Sequence, residues 1–156
     1  MTIRQRLADR LIAAFTRRPA DFVIGLRADP YLQRWWVIPR NPLVNLYLHR
    51  ILRSDDPRAL HDHSYFNVSI ILRGSYIEHT IAAGGVHRRT LREAGSVTFR
   101  SPWRAHRLEI AQGAAWSLFF TGPRLRAWGF HCPGGWIPWQ AFTAPDDQGQ
   151  VGRGCE

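Results

Sequence analysis

Past Pro19 the chain stops keeping a helical period and becomes a series of short apolar runs, each cut off by Pro, Gly, Asn or Asp. Phe22-Val23-Ile24 is followed by the turn signal Asp29-Pro30, and Arg34–Ile38 is bounded by Pro39 and Asn41-Pro42. Strand-like runs recur at 46–52, 65–72, 75–81, 86–92, 96–100, 106–110 and 115–121. Ser54–Pro57 reads as a loop, and Ala82–Gly85 as the hairpin turn between two of the runs. Short strands at close spacing with no helix between them predict an all-β sandwich or barrel over residues 20–143. Residues 144–156 are polar and Gly-rich, which predicts a flexible tail.

Ahead of this region, residues 2–17 read as a helix within an N-terminal segment 1–18. Thr2 and Gln5 form a capping box, and Ile3, Leu7, Leu11 and Phe15 recur at i+4 with most arginines off that stripe. Such an amphipathic helix is expected to pack on the domain or on a second copy, rather than to lie on a membrane. No apolar run reaches the roughly 20 residues of a membrane span, and no secretion signal is evident.

The net charge of +9 comes from 21 basic residues, every one of them Arg. They are scattered, with no run beyond Arg17-Arg18 or Arg88-Arg89, and no nucleic-acid reader motif accompanies them, so nucleic acid is not an expected partner. Cys132 and Cys155 do not form a disulfide framework; Cys155 is expected to be a free thiol and the setting a reducing cytoplasm. Seven Trp and eight Phe point to a core or a pocket rich in aromatic surface.

The chemistry concentrates at His61-Asp62-His63, just ahead of the run at 65–72. In an extended backbone two imidazoles one residue apart point the same way, as half of a chelate. On that face follow Tyr65, Asn67, Ser69 and Ile71; Phe66, Val68, Ile70 and Leu72 share the other. A polar face backed by an apolar one is either surface or the lining of a pocket. His106 is the candidate third ligand, at the mouth of a strand that follows the tight loop Ser101–Ala105. Asp62 has the wrong parity for a ligand, and Glu78 has no evident inward claim.

These residues resemble the motifs of the cupin superfamily. A first cupin motif runs Gly, His-x-His, Glu, Gly; here His61 and His63 match, Asn67 stands in the place of Glu, Gly74 is on register, and Asp55 replaces the leading Gly. A second runs Gly, Pro-x-Gly, His, Asn; Gly95 and His106 keep their distance, while Pro102 comes one residue late, Arg104 replaces Gly, and Ile110 replaces Asn. The wider pattern is similar to uncharacterised bacterial and phage cupin-like proteins. It rests on Tyr47–Arg50, Ile71–Gly74, Thr121–Arg124 and Trp128–His131.

The resemblance implies a double-stranded β-helix (jelly roll) preceded by a helix, commonly assembled as a homodimer. It also implies a three-imidazole metal site at His61, His63 and His106, similar to that of thiol dioxygenases, which lack the Glu as well. Asn67 and Asp62 would then be weak ligands or groups hydrogen-bonded behind the ligands, and Gly74 and Gly95 would fix turns. Tyr65, Trp103 and Arg104 are the expected substrate contacts. The metal would be divalent Fe, Zn, Mn or Ni, since all accept imidazole. Two functions fit: a metal-dependent oxidoreductase of dioxygenase type acting on a small molecule, or a non-catalytic small-molecule-binding or partner-recognition module. Neither substrate nor metal identity is readable from these residues.

Overall fold

The computed structural model describes residues 2–26, 28–55 and 59–156, and at 147–149 the backbone alone. The loop read at 54–57 therefore lies partly outside the described residues. Helix α1 (Ile3–Phe15) starts with the predicted capping box: the Thr2 hydroxyl accepts from the Gln5 N–H, and the Gln5 side chain from the Thr2 N–H. Its buried stripe differs from the predicted one. Ala8 and Ile12 are buried with Phe15 beside them, while Ile3 and Leu7 are 78% and 60% exposed. Only the C-terminal half of the helix reaches the sheet, so the first turn has nothing to pack against.

The strands follow in the order β1 (Phe22–Leu26), β2 (Asp29–Trp36), β3 (Asn45–Ile51), β4 (Leu60–His61), β5 (Asn67–Arg73), β6 (Ser75–Ile81), β7 (His87–Glu93), β8 (Val97–Arg100), β9 (Arg107–Glu109), β10 (Ala115–Thr121), β11 (Gly129–Cys132) and β12 (Gly135–Pro138). A short helix α2 (Trp139–Phe142) and the hairpin β13 (Thr143–Ala144) and β14 (Asp147–Val151) close the chain. Asp29-Pro30 lies inside β2, where a register shift at Ile24/Gly25 accommodates the proline.

A six-stranded sheet has the order β1-β2-β3-β10-β5-β8. Opposite it stand β7-β6-β9 and β12-β11-β4, joined where His61 bridges to His106. The predicted continuous run from His61 is broken: β4 ends at His61, and β5 begins at Asn67 in the other sheet. Gly74 makes the tight β5–β6 turn in the left-handed region, where a Cβ would stand 2.4 Å from the Ala114 carbonyl oxygen. Gly95, also left-handed, donates its N–H to the Ile71 carbonyl.

The large sheet separates two cores. Between the sheets pack Leu32, Ile51, Ile71, Tyr76, Leu108 and Ala115. On the outer face Trp35, Leu48 and Trp116 receive Ile12 of α1, and Trp35 stacks on Trp116 at 5.7 Å. Each such side chain contributes about 1.5–3 kcal/mol by leaving water. Beyond the helix the outer face stays bare: Ile70, Val97, Phe99 and Phe120 are all more than a third exposed.

The chain end departs from the reading as a tail. Cys132 and Cys155 are disulfide-bonded with Cα atoms 5.5 Å apart, and the N–H groups of Gly152 and Gly154 donate to the Phe142 carbonyl. The expected free thiol is thus corrected. The 23-residue separation hid a pairing that only the fold-back over α2 creates.

Candidate metal centre

His61, His63 and His106 converge, with the nitrogens they offer all within 4.8 Å of one another. Backbone pairing explains why. His61 and His106 exchange reciprocal N–H···O bonds of 2.8 and 2.9 Å, which set their side chains beside each other on one face. The His63 N–H donates to the Pro102 carbonyl at 3.3 Å, so the loop before His106 is tied to the strand carrying the pair. The Nε2 atoms of His63 and His106 stand 2.9 Å apart. Two nitrogens bound at ~2.1 Å to one ion at a right angle would be ~3.0 Å apart, so the observed spacing suits a shared cation.

Carboxylates stand behind the rings. Glu78 Oε1 lies 3.2 Å from His106 Nδ1, off the line of a good hydrogen bond, and Asp55 Oδ2 lies 3.4 Å from His61 Nδ1. A neutral imidazole that keeps its proton on Nδ1, facing a carboxylate, presents the Nε2 lone pair to the centre. Burial pushes His106 down to about 3, with the Arg100 charge adding to the effect and Glu78 opposing it. Burial likewise holds His63 well below the usual histidine range, helped by His106, His61, Arg100 and Arg34. Both rings are therefore neutral at neutral pH, the form that ligates a metal.

Glu78 is fully buried and anchors this side of the site. It accepts from Arg100 Nε at 2.6 Å and from Arg92 Nε at 2.8 Å. Burial alone would raise its carboxyl, but His106 and Arg100 outweigh that and hold it well below the usual carboxylate range. Asp55 accepts from the Tyr31 hydroxyl and from the Leu108 N–H, the latter at 2.7 Å.

The imidazoles open onto a cavity of about 330 Å³ between the sheets. Its walls are mainly apolar and aromatic, with Leu32, Ile51, Tyr76, Leu108, Phe119 and Phe130 among them, interrupted by Arg34, Arg100, His49 and three serines. Tyr65 lines it and stacks on His63 at 6.0 Å.

The other sequence candidates lie elsewhere. Asn67 is fully buried beneath Arg100, whose Nη1 it accepts at 3.4 Å, and it does not line the cavity. Asp62 points away from the imidazoles, as its parity implied. It accepts from Arg126, the Gly129 N–H and Trp136 Nε1, and contacts His131, so it clamps the β11–β12 hairpin. Trp103 is 63% exposed and Arg104 is exposed in a turn; neither borders the cavity, because the loop carrying them bends outward before His106. Trp139 stacks on Trp128, which packs α2 against the segment leading into β11.

Sequence reading gave Glu78 no inward claim, which its full burial beside His106 corrects, and it passed over Asp55, Arg34 and Arg100 as site residues. A signal existed for Glu78, since it shares strand parity with Tyr76, an inward residue. At β8 the signal misled: Thr98 and Arg100 are buried while Val97 and Phe99 face out.

No family model matches the sequence, and no curated protein matches it. Solved structures do resemble it. Fe(II)-HppE with the alternative substrate (S)-1-HPP aligns with a TM-score of 0.52 at 15% identity, over 69% of this chain and 57% of that one. Bacillus subtilis oxalate decarboxylase, a protein with Mn(II) centres, aligns at 0.52 and 14% identity, over 74% of this chain and 30% of its own. A Klebsiella pneumoniae protein with a double-stranded β-helix domain aligns at 0.51 and 12% identity, over 70% and 90%. The chain thus spans little more than half of the HppE chain and under a third of the decarboxylase. At such identities the likeness is one of fold. That fold is the cupin-type double-stranded β-helix with an added N-terminal helix, as the motif resemblance implied, and its sheets do not close into a barrel.

Proposed function

We propose that His61, His63 and His106 hold a divalent transition-metal ion, Fe, Zn, Mn or Ni, and that the protein is a metal-dependent oxidoreductase of dioxygenase type acting on a small molecule in the adjoining cavity. The observation that carries this reading is the convergence of imidazole nitrogens, with His63 and His106 Nε2 at 2.9 Å and carboxylates behind His106 and His61. The donor set fits the ion: neutral, mutually close and partly shielded from water. When bound, the ion supplies Lewis acidity and positions left open for substrate or dioxygen. The chain's own groups do the rest. Glu78 and Asp55 fix tautomer and ring orientation. Tyr65 and Phe119 wall the space beside His63, and apolar side chains form much of the remaining lining.

A second reading is a non-catalytic binding module on the same cavity. It is favoured by Asn67 standing in place of a carboxylate and lying away from the imidazoles, which leaves a weaker metal trap. Metal analysis of tag-free protein decides between them. About one ion per chain, lost in a His61→Ala/His106→Ala double variant, is expected; sub-stoichiometric metal indifferent to those changes would sink the first reading.

Two wider expectations also stand as proposals. Homodimer formation is supported by the free edge of β8 and its apolar outward side chains, and sedimentation tests it. Among the described residues no helix is long and apolar enough to cross a membrane. The cytoplasmic setting now has the Cys132–Cys155 cross-link against it.

A further inference from the structure

Among the described residues, Arg34 is the arginine of the cavity wall without a carboxylate partner. Arg100 is matched by Glu78, whereas Arg34 makes no ion pair among the described residues. Its Nε–H donates to His49 Nε2 at 2.8 Å, a neutral acceptor, since burial and Arg34 itself hold His49 well below the usual histidine range. Its guanidinium carbon lies 4.7 Å from the Tyr47 ring centroid and 5.7 Å from that of Phe22. Those contacts occupy Nε and the faces of the plane, and no hydrogen bond holds Nη1 or Nη2 among the described residues. Arg34 is half-buried, its guanidinium keeps its charge, and its Nη edge is left for an anion that enters the cavity.

A second donor points the same way. Arg100 is 1% exposed and borders the cavity, yet its Nη2 is buried without a partner. Arg34 reaches the cavity from β2 and Arg100 from β8. The Phe119 ring lies 4.8 Å from His49, which carries Arg34, and 6.1 Å from His63. The same cavity wall thus offers imidazoles and, by way of His49 and Phe119, the N–H edge of Arg34, with apolar side chains between.

We propose that the cavity takes a small organic acid with an apolar body, its carboxylate held by the free edge of Arg34. Guanidinium matches carboxylate in a two-point fork, which also fixes the ligand's orientation. The volume of about 330 Å³ and the apolar lining suit a compact body, and Arg34 then decides which end faces the imidazoles. This deepens the reading of the cavity as a ligand site but does not require the metal.

Calorimetric titration of the whole chain, metal-free and zinc-loaded, with hexanoate, benzoate, 3-phenylpropanoate and phenylphosphonate tests it, with 3-phenylpropanamide as the uncharged match. At least one carboxylate is expected to bind in both forms, ahead of the phosphonate and the amide. Arg34→Met should weaken that carboxylate by about tenfold or more, as for loss of a charge-assisted hydrogen bond. Arg34→Lys should weaken it less, and Arg104→Met, on the exposed loop, should not change it. Should Arg34→Met fail to fold, protection of Arg34 from phenylglyoxal in the unaltered chain gives the same answer: the acid shields it and the amide does not. No carboxylate binding, equal binding of acid and amide, or unchanged affinity in the Arg34 variants overturns the proposal, and preference for the phosphonate replaces the carboxylate head. Acid binding that depends on Arg34 in a protein that takes up no zinc would sink the metal reading and leave this one standing.

Discussion

The molecule carries two histidine clusters, and they are wired differently. On the β7-β6-β9 sheet, His79 Nδ1 contacts His87 Nε2 at 2.9 Å and Arg107 at 3.3 Å, while its Nε2 contacts Glu109 at 2.7 Å. Both nitrogens are spent, so the residues form a chain. In the cavity the carboxylates sit on the Nδ1 side of His106 and His61, which leaves nitrogens free to converge. Short contacts among histidines alone thus do not mark a candidate metal site; convergence of three imidazoles with carboxylates behind two of them is what sets the cavity cluster apart. That comparison sets the largest expected effect. His63→Ala should cost about 100-fold in zinc or cobalt affinity by removing one of the proposed ligands, whereas His79→Ala should leave affinity unchanged. Equal losses in a competition titration would erase the distinction.

Glu78→Gln comes next. It removes the charge that faces Arg100, leaving a guanidinium that is 1% exposed without its anion, at a cost of about 3–5 kcal/mol in urea unfolding. It also weakens the support of His106, for which about 10–100-fold in metal affinity is expected. A loss of stability with metal affinity unchanged would show that Glu78 braces the sheets and does not tune the imidazole.

Acid should act on the cavity more than on the outer cluster. Burial first, then nearby positive charge, holds the folded-state values of His49, His63 and His106 below the ordinary 6.5. The unfolded chain takes up these protons near 6.5 and the folded chain does not, so stability is full above that value and falls as pH drops below it. Glu78, held below its ordinary 4.5, has the same sign: its contribution is present above that value and lost beneath it. Each depressed histidine contributes a slope of up to roughly 1.4 kcal/mol per pH unit. Urea unfolding of metal-free protein from pH 7 to pH 5 should show this decline, shallower in His63→Gln. A flat profile would mean that the rings are protonated within the fold.

How much of this was legible in the sequence follows from where the information lies. Strand parity is local and carried the reading only in part: His61, His63, Tyr65 and Ser69 line the cavity, but residues 62–66 are not strand, Ser64 of the other parity lines it too, and Asn67 of the same parity does not. Gly74 and Gly95 were legible because left-handed turns select glycine. Arg34, Arg100 and Glu78 were not, because they reverse the rule that apolar residues go inward: at β8 the arginine is buried and the phenylalanine faces out. That inversion is stable only because Glu78 arrives from β6, a pairing between sheets that no local pattern encodes. The Cys132–Cys155 bridge was hidden for the same reason, since it depends on the chain end folding back over α2.

The smallest expected effect probes the outer cluster alone. Burial is the main cause lowering His79, and Glu109 opposes it through a hydrogen bond and its charge. Removing that charge in Glu109→Gln leaves burial, Arg107 and His87 acting together, so the His79 titration midpoint, read by NMR, should move further down. Glu109 is about one-third exposed and also faces Arg89 and Arg107, so solvent and salt screen much of its influence. High salt should accordingly shrink the difference between the two proteins. Metal uptake should be untouched, since Glu109 stands behind a ring that has no free nitrogen to offer. A change in metal affinity on Glu109→Gln would mean that the two clusters communicate through β9, which starts right after His106 and ends at Glu109, and the comparison between a closed chain and an open convergence would then fail at that strand.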